Sequence, residues 1–294
     1  MNILLSGANG FLGQIIINIL KKEHQFISLS RNSGEYMVCL DKQIPNFHHS
    51  FDMVIHSAGK AHLVPKTESG SQQFYEVNVI GTENLLKGLE KVGMTKQLVF
   101  ISSVAVYGQE SGVKINEENS LQAIDPYGLS KIQAEKVILD WCNRHNVTCT
   151  ILRLPLLVGK NPPGNLGAMI KAIQKGYYFN IGGGNAKKSM VLAEDVARFI
   201  PIIAPVGGTY NLTDGVHPSF SDLSNAIANK KIKNLPLFIA KIMGYLGDLL
   251  GGKAPINSLK IKKITSNLTF DDSKARELGW KSQSVLEYLK NNDL

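Results

Sequence analysis

Cysteine is scarce in this chain, and the few positions that carry it exclude two kinds of site. The 294 residues contain three cysteines, Cys39, Cys142 and Cys149. Their spacing matches neither a disulfide framework nor a zinc site. We therefore expect reduced structural thiols in a cytoplasmic protein without a metal centre.

Long apolar runs are also missing. No stretch reaches the roughly 20 residues that a membrane-spanning helix needs, and the nearest, residues 235–250, contains Lys241 and Asp248. The first residues, MNILLSGANG, lack the basic start of a signal peptide, so we expect none. Because no apolar run is long enough, we also expect no stable membrane insertion. Segment 235–250 and its neighbouring lysines leave two interpretations: a helix resting on an acidic membrane surface, or an amphipathic helix packed on the lobe that binds substrate. We favour the second.

Acidic residues are outnumbered by basic ones. The chain has 32 Lys and Arg against 24 Asp and Glu, a formal net charge of +8. Local excess is confined to KKIK (230–233) and KIKK (260–263), and no aromatic ladder accompanies either run. This pattern argues against a nucleic-acid partner and fits an anionic small molecule or loose attraction to an acidic membrane.

What the chain does contain is an alternation of short apolar strands with helical stretches. The predicted strands are residues 3–7, 25–30, 37–41, 52–58, 97–103, 149–154 and 208–214, and the predicted helices are residues 11–23, 74–92 and 126–145. This order indicates an α/β protein with a Rossmann-type, doubly wound parallel sheet. The pattern breaks after residue 155. We expect a dinucleotide-binding domain over 1–160 plus about 190–214, and a smaller, discontinuous substrate lobe over about 161–189 and 215–294.

A glycine loop follows the first predicted strand. The stretch SGANGFLG places Gly7, Gly10 and Gly13 between that strand and a helix. Gly7 permits a tight turn, Gly10 lets the backbone approach a pyrophosphate at the helix N-terminus, and Gly13 allows close helix–strand packing. This context predicts dinucleotide binding.

The end of the second strand bears on the choice of dinucleotide. An acidic residue there would bind a ribose 2′-hydroxyl, whereas an arginine accommodates a 2′-phosphate. The sequence reads SLSRN, with Ser30 and Arg31 and no acid. This favours NADP over NAD, unless Arg31 is simply a solvated loop residue.

A tyrosine and a lysine stand four residues apart in DPYGLSK (125–131). Pro126 fits a helix start, so Tyr127 and Lys131 lie one turn apart on one face. A cation there would lower the pKa of the tyrosine and make it an acid/base group at neutral pH. The alternative is a surface tyrosine beside a solvated lysine.

Several motifs, in one order, resemble those of the extended short-chain dehydrogenase/reductases, the nucleotide-sugar epimerase/dehydratase group. They are GANGFLG (7–13), HSAG (56–59), NVIGT (78–82), FISSVAVYG (100–108), YGLSK (127–131), LRLPLLVG (152–159) and DDSKARELGW (271–280). The resemblance implies that Ser103, Tyr127 and Lys131 are catalytic, with Ser102 as the competing serine. For His56 we favour a packed histidine at the end of a strand over a catalyst.

The resemblance also implies binding residues and partners. Cofactor contacts would come from Gly7, Asn9, Gly10, Phe11, Leu12, Gly13, Ser30, Arg31, Asp41, Ala58, Gly59, Asn78, Ser102, Tyr127, Lys131 and Pro155. Substrate contacts would come from Ser103, Asn165, Leu166 and Lys188, the last where relatives often carry an arginine. The implied substrate is a UDP-linked sugar, and the implied assembly is a homodimer through helices 74–92 and 126–145.

Departures from the family pattern reduce the number of reactions that the enzyme is expected to catalyse. Family members that dehydrate a 4-keto sugar carry an Asp-Glu pair where this chain has Val104 and Ala105, which cannot carry a proton. What remains is transfer at one carbon, C4. The LPL after Arg153 replaces the usual asparagine, and together with Arg31 it resembles a subgroup that includes reductases of 4-keto-6-deoxy sugars. We favour NADPH-dependent reduction over 4-epimerisation with retained NAD; a non-catalytic cofactor-binding protein is the third reading.

Overall fold

A parallel sheet organises the protein. The computed structural model describes residues 1–61, 65, 67–228, 230–250 and 257–291. The described strands are β1 (Asn2–Ser6), β2 (Gln25–Ser30), β3 (Tyr36–Met37), β4 (Met53–His56), β5 (Gln97–Ser103), β6 (Gly112–Ile115), β7 (Thr148–Leu154), β8 (Leu156–Val158), β9 (Asn180–Ile181), β10 (Met190–Leu192), β11 (Gly208–Asn211), β12 (Asn234–Leu235) and β13 (Leu268–Phe270). Seven of them form one sheet in the order β3-β2-β1-β4-β5-β7-β11, and all its pairs are parallel. This confirms the predicted doubly wound α/β fold.

Helices cover both faces of this sheet. The described helices are α1 (Phe11–Leu20), α2 (Glu68–Tyr75), α3 (Gly81–Glu90), α4 (Pro126–His145), α5 (Gly164–Gln174), α6 (Ala193–Ile203), α7 (Phe220–Ala228), α8 (Leu237–Leu249), α9 (Ser258–Thr265), α10 (Ser273–Glu277) and α11 (Val285–Asn291). One buried cluster joins the sheet to α1 and α6, and a second joins the opposite face to α3 and α4. The nearly continuous apolar strands follow from this double cover. None of the helices that the structure describes is long and apolar enough to cross a bilayer.

Most predicted elements match the structure to within three residues at each end, and two differ further. The strand predicted over 37–41 is only Tyr36–Met37, because the chain turns at Cys39, whose carbonyl accepts from the backbone N–H groups of Lys42 and Gln43. The helix predicted over 74–92 begins earlier, at Glu68, and a π-helical turn separates α2 from α3. The first residues of α2 are polar and carry no apolar period, so the pattern did not mark them.

A further buried cluster lies beyond the sheet. It combines side chains from β8, α5, β10, α7 and α11, among them Val158, Leu166, Met190, Leu223 and Val285. Helices α5, α7 and α11 belong to the part of the chain that we assigned to the substrate lobe, whereas β8 and β10 belong to the part that we assigned to the dinucleotide-binding domain. The assigned domain boundaries stay a prediction.

Candidate active site

The glycine turn brings β1, α1 and the end of β4 into close backbone contact. Gly7 has a φ of 73°, and a Cβ atom on it would lie 2.7 Å from the backbone nitrogen of Ala58. A Cβ on Gly13 would overlap the carbonyl oxygen of Gly7 and lie 2.9 Å from the Cα of Ala8. Any side chain at either position would therefore force these backbones apart.

The start of α1 fits a bound pyrophosphate. Gly10 is the N-cap and supplies no capping side chain, and the first turn of the helix holds no acidic residue. Backbone N–H groups at such a terminus favour an anion. Leu12 is buried in the core and Phe11 packs near Gly159, so any contact of these two with a cofactor would come mainly from their backbones.

The end of β2 carries polar groups that bond to one another. Asn9 donates to the hydroxyl oxygens of Ser30, at 2.8 Å, and Ser33, at 2.7 Å. Arg31 is exposed beside them. Asp41 lies after β3 and accepts a hydrogen bond from the thiol of Cys39. The residues predicted to select the adenosine end thus lie at the carboxyl ends of adjacent strands.

Asn78 fixes the loop that follows β4. Its side-chain oxygen, Oδ1, accepts from the backbone N–H of Lys60 at 2.7 Å. Its side-chain nitrogen, Nδ2, donates to the hydroxyl of Ser130 in α4 at 2.9 Å. A Cβ on Gly59 would lie 3.1 Å from Asn78 and 3.2 Å from the Nζ of Lys131. The absent side chain at Gly59 therefore leaves room for both groups.

Ser103, Tyr127 and Lys131 converge at the carboxyl end of β5. Asp125 caps α4 by accepting from the N–H of Gly128 at 3.1 Å, which sets Tyr127 in the first turn and Lys131 one turn later. The Nζ of Lys131 donates to the carbonyl of Ile101 at 2.9 Å. Ser103 ends β5 and makes a side-chain hydrogen bond with Tyr127. The glycine turn, Gly59, Lys131 and Tyr127 thus form one continuous series of neighbours.

The electrostatics of the pair differ from the sequence prediction. Burial lowers the pKa of Lys131 to about 8, and the nearby Glu135 carboxylate opposes this shift. Burial also raises the pKa of Tyr127, while the hydrogen bond with Ser103 acts in the opposite direction. The predicted lowering of the Tyr127 pKa is therefore wrong for this arrangement, because removal of the phenol from water outweighs its favourable partners.

A buried ion pair behind the lysine was missed by the sequence analysis. Arg153 forms a bidentate contact with Glu135, at 2.8 and 3.1 Å, and also donates to the hydroxyl of Tyr107 at 3.2 Å. Ser102 donates to the same Glu135 carboxylate, so its hydroxyl is held by this ion pair rather than by Tyr127. The spacing of residues 127, 131 and 135 on one helix face was the available signal.

His56 has a structural role. Its Nδ1 is 2.6 Å from the hydroxyl of Ser6 and its Nε2 is 2.8 Å from that of Thr82. Burial lowers its pKa to about 3, so the ring is neutral at neutral pH. The prediction of a packed histidine is confirmed.

The residues predicted to bind substrate differ in how exposed they are. Asn165 is exposed in the first turn of α5, whose N-cap, Pro163, offers no capping side chain. Leu166 is 1% exposed within the cluster beyond the sheet, so only its backbone is available to a ligand. Lys188 is half-buried, and burial together with the charge of Lys263 lowers its pKa. Pro155 joins β7 to β8.

Comparisons with known proteins agree with this geometry. The model of the NAD dependent epimerase/dehydratase family matches residues 3–212. The chain is 29% identical to N-acetyl-alpha-D-glucosaminyl-diphospho-ditrans,octacis-undecaprenol 4-epimerase of Escherichia coli O157:H7, over 95% of this chain and 90% of that protein. It is 26% identical to UDP-glucose 4-epimerase of Vibrio cholerae, over 97% and 92%. The crystal structure of UDP-glucose 4-epimerase from Thermotoga maritima with UDP-glucose shares the fold, with a TM-score of 0.74, 21% identity and coverage of 99% and 96%. The chain therefore belongs to the NAD dependent epimerase/dehydratase family, as its motifs predicted, and is an NAD(P)-dependent enzyme of the nucleotide-sugar epimerase group.

Proposed function

We propose that this enzyme inverts the configuration at C4 of a sugar that is carried on a diphosphate. The observation that carries the proposal is the convergence of Ser103, Tyr127 and Lys131 beside the glycine turn. Relatives that match nearly the whole chain are named 4-epimerases, which supports epimerisation over the reduction favoured by the sequence analysis.

Each member of the trio has a distinct task. Tyr127 takes the proton of the C4 hydroxyl as the carbon becomes a ketone, and returns it when the carbon is reduced from the opposite face. Ser103 donates a hydrogen bond to the reacting oxygen, where negative charge develops. Lys131 places a cation one helical turn from the phenol. Val104 and Ala105, which follow Ser103, carry no proton and so do not support loss of water.

The cofactor site lies between the glycine turn and Asn78. Gly7 and Gly13 hold the turn close to its neighbours, Gly10 would let the backbone approach the pyrophosphate, and Ala58, Gly59 and Asn78 would line the path toward Lys131. When bound there, a nicotinamide would supply reversible hydride transfer at C4. Because Ser30 and Arg31 replace an acid at the end of β2, the 2′-phosphate of NADP is accommodated as well as the hydroxyl of NAD.

The substrate diphosphate would bind at the start of α5. The backbone N–H groups of residues 164–166 are free of a capping side chain, and the amide of Asn165 is exposed beside them. Lys188 supplies a point charge rather than the bidentate fork of an arginine. These groups recognise a diphosphate, and that element is common to nucleoside and polyprenol carriers. The names of the two relatives given above include both carriers.

Reduction of a 4-keto sugar by NADPH is the second candidate, and Arg31 is the observation that favours it. The discriminating experiment supplies UDP-GlcNAc or UDP-glucose without added reductant, and separately a UDP-4-keto-6-deoxy-GlcNAc with NADPH. Formation of the C4 epimer without reductant supports our proposal. If NADPH is consumed with the keto sugar and no epimer forms in the first reaction, the epimerase proposal is wrong and the enzyme is a reductase.

A further inference from the structure

Helix α8 packs against the protein through its smallest residues. Ala240, Gly244 and Gly247 are its buried positions, spaced at helical intervals. A Cβ on Gly244 would lie 2.6 Å from Ile261 of α9, so the two helices approach closely at this point. The face that ordinarily carries large apolar side chains into a core is here nearly without side chains.

The large apolar residues of α8 point the other way. Phe238, Tyr245 and Leu249 are 65%, 67% and 84% exposed, and Ile242 and Leu246 between them are also exposed. We call these five residues the outer face of α8. Their spacing at positions 0, 4, 7, 8 and 11 forms one continuous stripe rather than scattered exposed residues. Such contiguous apolar surface marks an interaction site.

The charge of the segments that form and follow this face is mainly positive. Residues 230–250 and 257–265 contain seven lysines, Lys230, Lys231, Lys233, Lys241, Lys260, Lys262 and Lys263, and a single acidic residue, Asp248. Lys262 and Lys263 of α9 are 69% and 53% exposed, and the carboxylate of Glu110 lies 3.8 and 3.5 Å from their Nζ atoms. Lys241 and Lys262 line one cavity together with Tyr245 of the outer face. An apolar stripe with a basic surround is the pattern of a helix that lies in the interface of an anionic bilayer.

The same charge argues against a second copy of the chain as the occupant. A two-fold contact through the outer face of α8 would bring two equal sets of lysines together. Like charges placed opposite one another weaken such an interface. An anionic lipid surface, in contrast, is complementary to both the apolar stripe and its surround.

The outer face lies on the part of the protein that holds the candidate diphosphate contact. Helix α9 leads into β13, where the backbone of Leu268 bonds to Lys187 and Ser189 on either side of Lys188. Lys263 is near enough to lower the pKa of Lys188. A membrane beneath α8 and α9 would therefore bring lipid-borne diphosphates to the edge of the substrate site.

We propose that the outer face of α8, with its surrounding lysines, rests on an anionic lipid bilayer, and that the sugar diphosphate acted on is carried by a lipid in that bilayer. The second half rests on the proposed function, whereas the first half does not. Packing of segment 235–250 on the substrate lobe explains the small buried residues of α8 but not the exposure of its large apolar ones.

Vesicle flotation tests the docking surface. The full chain is mixed with vesicles of phosphatidylcholine alone, or with equal parts of phosphatidylglycerol, at low and high salt. We expect binding to the anionic vesicles, weakened by salt, and a fall of about tenfold or more in the Ile242→Glu/Leu246→Glu variant. The matched control is Ile202→Glu on α6, also exposed, which should bind like the wild type. No binding by the wild type, equal binding by the double variant, or a dimer that the double variant abolishes would overturn the proposal.

Turnover separates this proposal from the proposed function. Wild type and double variant are assayed with UDP-GlcNAc in solution and with polyprenyl-diphosphate-GlcNAc in anionic vesicles. We expect the double variant to lose about tenfold on the vesicle-borne substrate and to keep its folding transition and any rate on the soluble one. Wild-type turnover of the soluble substrate alone would overturn the lipid-borne substrate. Flotation without turnover of either would refute the proposed function and leave the docking surface intact.

Discussion

Replacing Glu135 with glutamine should destabilise the protein far more than the loss of an ordinary surface charge. The side chains of Glu135 and Arg153 are 3% and 8% exposed, and two contacts join them. Breaking such a pair from one side leaves the other charge buried without compensation, which costs about 3–5 kcal/mol. Glutamine keeps one oxygen that accepts from Ser102 or Arg153, so we expect the lower end, about 3 kcal/mol. That is a large share of the roughly 5–15 kcal/mol that stabilises a typical domain.

Urea denaturation of the wild type and three variants measures this cost. The control Glu194→Gln removes the exposed pair with Arg198, where we expect a loss of at most about 1 kcal/mol. Glu135→Leu combined with Arg153→Met should be more stable than Glu135→Gln, because neither charge is then left alone. A Glu135→Gln variant no less stable than the control, or a double variant less stable than Glu135→Gln, would refute this reasoning.

Three further predictions follow from the site. The pKa of Lys131 is about 8 in the folded protein against 10.5 for the free side chain, so the unfolded state binds more protons between these two pH values. The free energy of unfolding should therefore rise by up to about 3 kcal/mol as the pH increases across that range. In urea titrations at several pH values, Lys131→Met should lack this rise. Ser103→Ala removes the hydrogen bond that lowers the pKa of Tyr127, so the ionised fraction of Tyr127 at a given pH should fall. The limb of the kcat/KM profile that reports Tyr127 should then move to higher pH. A limb that does not move would mean that this hydrogen bond has no effect on the pKa of the phenol. Gly13→Ala places a methyl group against the carbonyl of Gly7, which should lower the free energy of unfolding by about 1–3 kcal/mol. The same change should weaken NADPH binding, as measured by fluorescence. Unchanged binding would contradict the close approach of β1 and α1.

The parts of the site that could be predicted are those encoded in local pattern. The glycine turn was predictable because a side chain at Gly7 or Gly13 would collide with neighbouring backbone, so the turn requires glycine at these spacings. The sheet was predictable because strands covered on both faces must be apolar throughout. The placement of Tyr127 and Lys131 followed from helical spacing and from the start of α4 at Pro126.

What could not be predicted depends on burial and on pairs distant in sequence. The pKa of Tyr127 is raised because the fold removes the phenol from water, and no local spacing reports that. The pairing of Glu135 with Arg153 joins a helix to a strand, and the helical spacing of Glu135 from Lys131 does not identify a partner 18 residues away in sequence.

The orientation of α8 was also beyond reach of the pattern. Apolar periodicity predicts that the large residues of a helix face the core. Here Gly244 instead allows α8 to approach Ile261 closely, and this contact turns the large residues outward. Only packing between two helices determines which face is covered.

The fate of a deuterium atom at C4 of the sugar tests the central claim most directly. The purified enzyme is given GlcNAc labelled at C4, on UDP and on polyprenyl diphosphate, in ordinary water. Because the hydride that leaves C4 returns to it while Tyr127 exchanges only the hydroxyl proton, the C4 epimer should keep its deuterium, and Tyr127→Phe should form no epimer while still binding the cofactor. An epimer that loses the label to water, or a Tyr127→Phe variant that turns over at the wild-type rate, would contradict the account.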